Sequence, residues 1–166
     1  MHRRPPRVPH FSYTGAHAYF LTFCTRGRYP AFLDPDAAGH VTAQLLRHAR
    51  NQEFAVLAYC VMPDHVHVLI EGGTGNADAR RFVHRWRQAT GHWWSRVHPS
   101  GLWQEGYWDW ILRPHEDPLR IAAYIVQNPV RAGLVARVED YEWVGSSDYT
   151  VQQLVTAIQL KPGGRG

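Results

Sequence analysis

The chain has few cysteines and no long apolar run, and both absences exclude whole classes of protein. Its 166 residues include only Cys24 and Cys60, which excludes a disulfide framework and a zinc ribbon. Both lie in apolar stretches and are predicted to be small buried hydrophobic side chains. Even the apolar run 54–62 is about half the length of a membrane span. The basic N-terminus has no apolar segment behind it, so no secretory signal is expected and the predicted location is the cytoplasm.

Lysine is almost absent as well. Of the 18 basic residues only Lys161 is a lysine, and the arginines outweigh 14 acids to give a net charge of +4. Arginine codons are favoured in GC-rich genomes, which is one explanation. The other is phosphate binding, because the guanidinium fork matches phosphate oxygens. The hydrophobic content of 45% is ordinary for one globular domain and excludes a mainly disordered chain.

The hydrophobic pattern predicts an α+β fold. Strands are expected at 18–25, 54–62, 65–71 and 106–112, and helices at 34–52, 77–97 and 117–128. The order strand–helix–strand–strand–helix–strand is typical of the ferredoxin-like βαββαβ plan, an antiparallel sheet with helices on one face. The last helix is an addition to this plan near the C-terminus. We expect a basic arm over 1–16, one domain over 17–150, and a partly disordered tail over 151–166.

Two histidines in the third predicted strand are candidate metal ligands. Side chains alternate along a strand, so His65 and His67 share a face while Val66 points to the other. Two imidazoles at this spacing can hold one metal ion. Eleven histidines in the chain make a chance match common, and two surface histidines are the alternative.

The added helix contains a candidate nucleophile. Tyr124 and Asn128 are four residues apart and share a helix face, with Arg120 and Arg131 flanking the same side. A phenol is a weak nucleophile at neutral pH, but a metal on the histidines could polarise a phosphodiester. Asn128 could complete the coordination with its amide oxygen. The alternative is a packing tyrosine with an exposed hydroxyl.

Three groups of arginines are predicted to contact nucleic-acid phosphates. They are Arg3, Arg4 and Arg7 in the N-terminal arm, Arg81 and Arg85 in a polar stripe of the second helix, and Arg120 and Arg131 beside Tyr124. The stretch 79–104 holds five arginines and no acid. A solvated helix face and a loose tail are the alternative interpretation.

Four segments together resemble one family, the REP-associated tyrosine transposases of the single-tyrosine HUH superfamily. They are YCVMPDHVHVLIE at 59–71, LWQEGYWDWILR at 102–113, YIVQNPVRAGLV at 124–135 and WVGSSDY at 143–149. The resemblance covers about residues 10–150. The HVH triplet alone is not specific, but VMPDHVHVL followed by YIVQNPVRAGL is.

The resemblance implies roles for individual residues. His65 and His67 match the family's metal-binding pair, Tyr124 matches its nucleophile, and Asn128 lies where the third ligand is expected. The implied activity is cleavage and rejoining of single-stranded DNA at imperfect hairpins through a 5′-phosphotyrosine, with magnesium or manganese, by a monomer or a homodimer. Asp64 stands where asparagine is common, and Val126-Gln127 replaces a polar-aromatic pair.

Two other functions stay open at this stage. A dinuclear metal hydrolase also uses His-x-His and would need further ligands, for which His115, Glu116 and Asp117 are candidates. A binding-only reading is a ferredoxin-like module, or a domesticated transposase, that holds hairpin DNA without cutting it. Neither a membrane nor a small-molecule substrate is expected.

Overall fold

A five-stranded antiparallel sheet forms the centre of the molecule. In the computed structural model, which describes residues 11–159, the strand order is β4-β1-β3-β2-β5. The strands are β1 Ala18–Cys24, β2 Phe54–Met62, β3 His65–Gly72, β4 Trp108–Ile111 and β5 Val144–Gly145. The third strand is therefore central, as the ferredoxin-like plan requires, and β4 is an edge strand.

Five α-helices surround the sheet in the described part of the chain. They are α1 Pro35–Asn51, α2 Ala79–Ser95, α3 Pro118–Val126, α4 Asn128–Arg131 and α5 Val151–Gln159. An aspartate begins each of the first three: the side chains of Asp34, Asp78 and Asp117 accept a backbone N–H of the first turn. This satisfies one of the amide groups that have no partner inside a helix.

One face of the sheet carries the larger core. Helices α1 and α2 pack against it, and the side chains they meet include Leu21, Phe23, Val66 and Val68. Trp86 of α2 is the largest fully buried side chain, and its indole N–H donates to the Val41 carbonyl at 3.2 Å. This face is aromatic and closed.

The opposite face carries a smaller core and a polar region. Cys60, Met62 and Leu69 of the sheet pack against Ile125 of α3 and Leu154 of α5. Helix α3, which carries Tyr124 and which we call the tyrosine helix, thus lies on the side of the sheet away from α1 and α2. The ferredoxin-like α+β fold is confirmed, and the added helix covers the second face.

The segment 151–159, the first part of the predicted tail, forms α5, with Leu154 buried against α3. Residues 160–166 lie outside the described residues. Two other predictions about the chain need correction. The predicted helix over 117–128 ends at Val126, and Asn128 begins α4. Cys24 is only half-buried, whereas Cys60 is fully buried as expected. None of the helices in residues 11–159 combines the length and apolar character of a membrane span.

Candidate active site

The central strand places the histidine pair on the polar face. Val66 is fully buried in the large core, and His65 and His67 point the other way. Their ring centres are 4.7 Å apart with planes at 81°. The alternation predicted from the sequence is confirmed, and the two imidazoles lie close enough to share one ligand.

A hydrogen bond orients each imidazole. Nδ1 of His65 lies 2.6 Å from the Asp64 carboxylate, whose other oxygen accepts from Nε of Arg28 at 2.9 Å. Nδ1 of His67 lies 2.8 Å from the Thr22 hydroxyl. Because Nδ1 is engaged in both rings, Nε2 is the nitrogen that each can present to a metal.

Burial keeps both rings neutral. It lowers the pKa of His65, against the opposing effect of the Asp64 hydrogen bond. It lowers the pKa of His67 to about 3, with further lowering by His65 and by the positive charges of Arg131 and Arg28. A neutral imidazole is the form that binds metal ions, so the pair is in the correct protonation state at neutral pH.

The tyrosine helix presents its phenol to solvent beside the histidines. Burial of Ala122, Ile125 and Val126 fixes the orientation of α3, and Tyr124 on the opposite side is 53% exposed. The Arg131 guanidinium lies over the Tyr124 ring, 3.9 Å from its centre. A cation on a ring face is an attractive contact, and it fixes the ring while leaving it accessible.

Asn128 lies one turn beyond the tyrosine. The chain stays near helical geometry at Gln127, but Pro129 has no N–H to donate, and α3 ends before it. The Asn128 side-chain NH₂ donates to the Ile125 carbonyl at 3.3 Å. This bond leaves the amide oxygen as the atom that can bind a cation.

The donor groups fit a divalent ion held by few protein ligands. Two imidazole nitrogens and an amide oxygen match the mixed N/O preference of such ions. No group of three or more His, Cys, Asp or Glu side chains converges anywhere in residues 11–159. A metal here would thus depend on the histidine pair and a neutral oxygen.

One cleft, which we call the tyrosine cleft, is lined by both His67 and Tyr124; His65 and Asn128 are not among its lining side chains. Its volume is about 590 Å³, and its lining includes Phe20, Thr22, Arg28, His67, Trp108 and Tyr124. The Phe20 ring centre lies 5.6 Å from that of His67 and 6.5 Å from that of Tyr124. Phe20 is therefore an apolar neighbour of both the histidine and the phenol.

The predicted DNA-binding arginines are scattered. Arg81 and Arg85 are exposed on α2, on the other face of the sheet from the tyrosine cleft. Arg120 is exposed on α3, whereas Arg131 contacts Tyr124 directly. Arg3, Arg4 and Arg7 lie outside the described residues. Of these positions, Arg131 is the one that the structure brings to the phenol.

The hydrolase ligands suggested by the sequence serve local structure instead. Glu116 accepts from the Trp110 indole at 3.2 Å and from the Arg113 backbone N–H at 2.6 Å. Asp117 accepts from the Leu119 backbone N–H at the start of α3. Both carboxylates therefore stabilise the turn before α3, and no second metal cluster supports the hydrolase alternative in the described chain.

The residues that orient the histidines are not marked as such by any motif of the sequence. Asp64 differs from the common asparagine without an evident reason, and Thr22 belongs to no motif. Thr22 lies directly opposite His67 in the antiparallel pairing of β1 with β3. A correct register for that strand pair was the one signal that could have found it.

Comparison with known proteins identifies the family to which the chain belongs. A model of the family "Transposase IS200 like" matches residues 14–128, which include the histidine pair, Tyr124 and Asn128. A REP-associated tyrosine transposase of Escherichia coli K12 is 31% identical over 103 residues, 59% of this chain and 61% of that protein. A Haemophilus influenzae protein proposed to belong to the same group is 24% identical over 143 residues, 79% of this chain and 80% of its own.

A solved structure shares the fold. It is a REP-associated tyrosine transposase bound to a REP hairpin, which matches with a TM-score of 0.70 and 21% identity over 95% of this chain and 89% of the other. The match to the E. coli relative spans less than two thirds of that protein's length, whereas the family model spans most of the present chain. The resemblance seen in the sequence is confirmed, and the chain belongs to the IS200-like transposase family.

Proposed function

We propose that this protein cuts and rejoins single-stranded DNA at REP-like palindromic hairpins through a covalent bond to Tyr124. The observation that carries the proposal is the tyrosine cleft, which is lined both by an exposed phenol under an arginine and by the oriented, neutral His67. A hydrolase has no need of a phenol, whereas strand transfer needs a protein group that can store the phosphoester bond.

The reaction balances without any outside reagent. The Tyr124 hydroxyl oxygen attacks the phosphorus, a new P–O bond to the protein forms, and the bond to the 3′ oxygen breaks. The phenol loses one proton and the departing 3′ oxygen gains one. The products are a 5′-phosphotyrosine and a free 3′-hydroxyl, and attack by another 3′-hydroxyl reverses the step. Arg131 over the ring favours the negative charge that develops on the phenol oxygen.

His65, His67 and Asn128 would hold a magnesium or manganese ion. When bound, the ion offsets negative charge that develops on the scissile phosphate. Asp64 and Thr22 keep the imidazoles in the orientation that exposes Nε2. Because imidazole nitrogen suits manganese better than magnesium, manganese should support at least as much cleavage.

The proposed substrate is hairpin DNA in the cytoplasm, bound by a monomer or a homodimer. The name of the solved relative refers to a REP hairpin. The positive net charge and the arginine-rich stretch 79–104 suit a phosphate backbone. The wide opening of the tyrosine cleft suits an unpaired strand, because the bases of a duplex would not fit beside Phe20 and Trp108.

The test is covalent capture of labelled DNA. Purified protein is mixed with a 5′- or 3′-labelled hairpin oligonucleotide and manganese, and a denaturing gel separates protein–DNA adducts from free DNA. Tyr124→Phe should abolish the adduct and leave binding by fluorescence anisotropy unchanged, because only the nucleophilic oxygen is removed. Tyr29→Phe is the matched control, since Tyr29 is 57% exposed and lies outside the tyrosine cleft.

The outcomes separate the possible functions. An adduct in the wild type and in Tyr29→Phe, but not in Tyr124→Phe, supports the proposal. Tight hairpin binding without any adduct in the wild type favours the binding-only function. An adduct that persists in Tyr124→Phe contradicts the role of this tyrosine.

A further inference from the structure

A second groove lies on the opposite side of the sheet edge from the tyrosine cleft. It has a volume of about 410 Å³ and runs between α2 and the segment that precedes β4. The side chains that define it are Arg80, His84, Arg87, Gln88, Trp103 and Tyr107. None of them is assigned a role by the sequence motifs or by the tyrosine chemistry.

The second groove combines cationic and aromatic groups. Arg80 is exposed at the start of α2, and Arg87 follows two turns later on the same side of the helix. Tyr107 forms the facing wall, and its ring is anchored against Phe23 with the centres 5.2 Å apart. Guanidinium groups beside accessible aromatic rings are what single-stranded nucleic acid requires, because phosphates pair with the former and bases stack on the latter.

The second groove and the tyrosine cleft are continuous at the sheet edge. Tyr107 lines both, immediately before edge strand β4. Arg87 donates to the carbonyl of Gln104 at 2.5 Å, and Gln104 also lines the tyrosine cleft. A strand that leaves the tyrosine cleft past Tyr107 therefore enters the second groove directly.

We propose that the second groove binds the unpaired DNA segment that extends from the cleavage point, with its phosphates on Arg80 and Arg87 and a base against Tyr107. The proposal rests on the proposed function, because it assigns a path to the same DNA. The proposal differs from the prediction made from the sequence, which placed the DNA phosphates on Arg81 and Arg85. Arg85 lies near α1, where its charge contributes to lowering the pKa of His48, and neither residue lines the second groove.

The two assignments place the DNA on different neighbouring arginines of α2, and this difference provides the test. Arg80→Ala and Arg81→Ala each remove one exposed charge from adjacent positions of α2. The Arg80 guanidinium also lies 4.3 Å from the centre of the buried Tyr13 ring, so the unfolding free energy of both variants is measured beside DNA binding. Binding to two DNAs is measured by anisotropy across a salt series. One DNA is a hairpin with about ten unpaired nucleotides beyond its foot, which is within the range of single-stranded binding sites, and the other is the same hairpin with no unpaired extension.

Arg80→Ala should weaken binding of the extended hairpin and reduce its salt slope by about 0.7, the value for one single-stranded phosphate contact. Its affinity for the unextended hairpin should not change, and Arg81→Ala should behave as the wild type with both DNAs. Equal losses in the two variants, equal losses with the two DNAs, or no loss in Arg80→Ala would each overturn the assignment.

A second readout keeps this proposal apart from the covalent chemistry. At saturating DNA, adduct formation by the wild type tests the proposed function separately from the binding comparison. If the wild type forms no adduct, the proposed function fails, while the comparison of extended and unextended hairpins still decides whether the second groove binds DNA.

Discussion

The two faces of the sheet differ in what they do with aromatic and polar side chains. On the α1–α2 face, Trp86 is fully buried and its ring packs against Phe23 and Trp103 with centres 4.8 and 5.0 Å away. On the α3–α5 face, Phe20 and Tyr124 border an open cleft. The same sheet therefore has one face devoted to stability and one divided between packing and a reactive site.

This difference shows how a small domain can keep polar groups beside its core. The histidines sit on the central strand, where the backbone is held from both sides by β1 and β2, and the large core immobilises the other side of that strand. A rigid support lets the site tolerate buried imidazoles and an exposed phenol. Substitutions on the α1–α2 face should therefore lower the free energy of unfolding, whereas substitutions of the reactive groups on the α3–α5 face should lower DNA cleavage.

The largest expected effect is loss of cleavage in His67→Ala and in His65→Ala. Each variant removes one of two imidazole ligands, so covalent capture with manganese should disappear while hairpin binding persists. His92→Ala, at an exposed position of α2, should retain full activity. Full cleavage by the wild type in excess EDTA would contradict a role for the metal.

On the other face, Trp86→Ala should destabilise the protein without touching the chemistry. Loss of a fully buried tryptophan costs about 3–5 kcal/mol of unfolding free energy, to be measured by urea denaturation. Tyr124→Phe should leave that free energy within about 0.5 kcal/mol of the wild type, as expected for a surface position. A large loss of unfolding free energy in Tyr124→Phe would contradict the assignment of stability to one face of the sheet and of the reactive phenol to the other.

A smaller effect is expected at Asp64, which contacts His65 rather than a metal. Asp64→Ala removes the acceptor for Nδ1 and should weaken metal binding or activity about 10–100-fold, measured by titrating manganese in the cleavage assay. Asp64→Asn keeps an oxygen at that place and should recover most of the loss. An Asp64→Asn protein as impaired as Asp64→Ala would show that the negative charge, not the hydrogen bond, matters.

The last prediction concerns pH and the metal-free protein. The pKa of His67 is lowered to about 3 in the folded state, against about 6.5 for an unfolded histidine. Between these values the unfolded state binds the extra proton. The contribution of His67 to stability is therefore fully present above pH 6.5 and declines towards pH 3, by at most about 1.4 kcal/mol per pH unit. His67→Gln in EDTA should show a flatter dependence in urea unfolding experiments.

Local patterns were sufficient to predict the elements that carry the site. The strand 65–72 and the helix that begins after Asp117 follow from alternation and from an Asp-Pro helix start, and both lie within two residues of the predicted bounds. Helix α5 was not predicted, because Leu154 is a core residue only through its packing against α3, which the local sequence does not show. The predicted helix end at Asn128 lies two residues beyond the observed end of α3 at Val126, and Pro129 occupies the start of the short helix α4.

The sequence by itself determined that His65 and His67 share a face and that Tyr124 and Asn128 are one turn apart, since strand and helix periods depend only on local backbone geometry. Only the tertiary structure decided which groups complete the site. Thr22 reaches His67 through strand pairing, and Phe20 comes near both His67 and Tyr124 because α3 packs on the polar face. Contacts between residues 45 or 104 positions apart depend on register and packing, which no local period encodes.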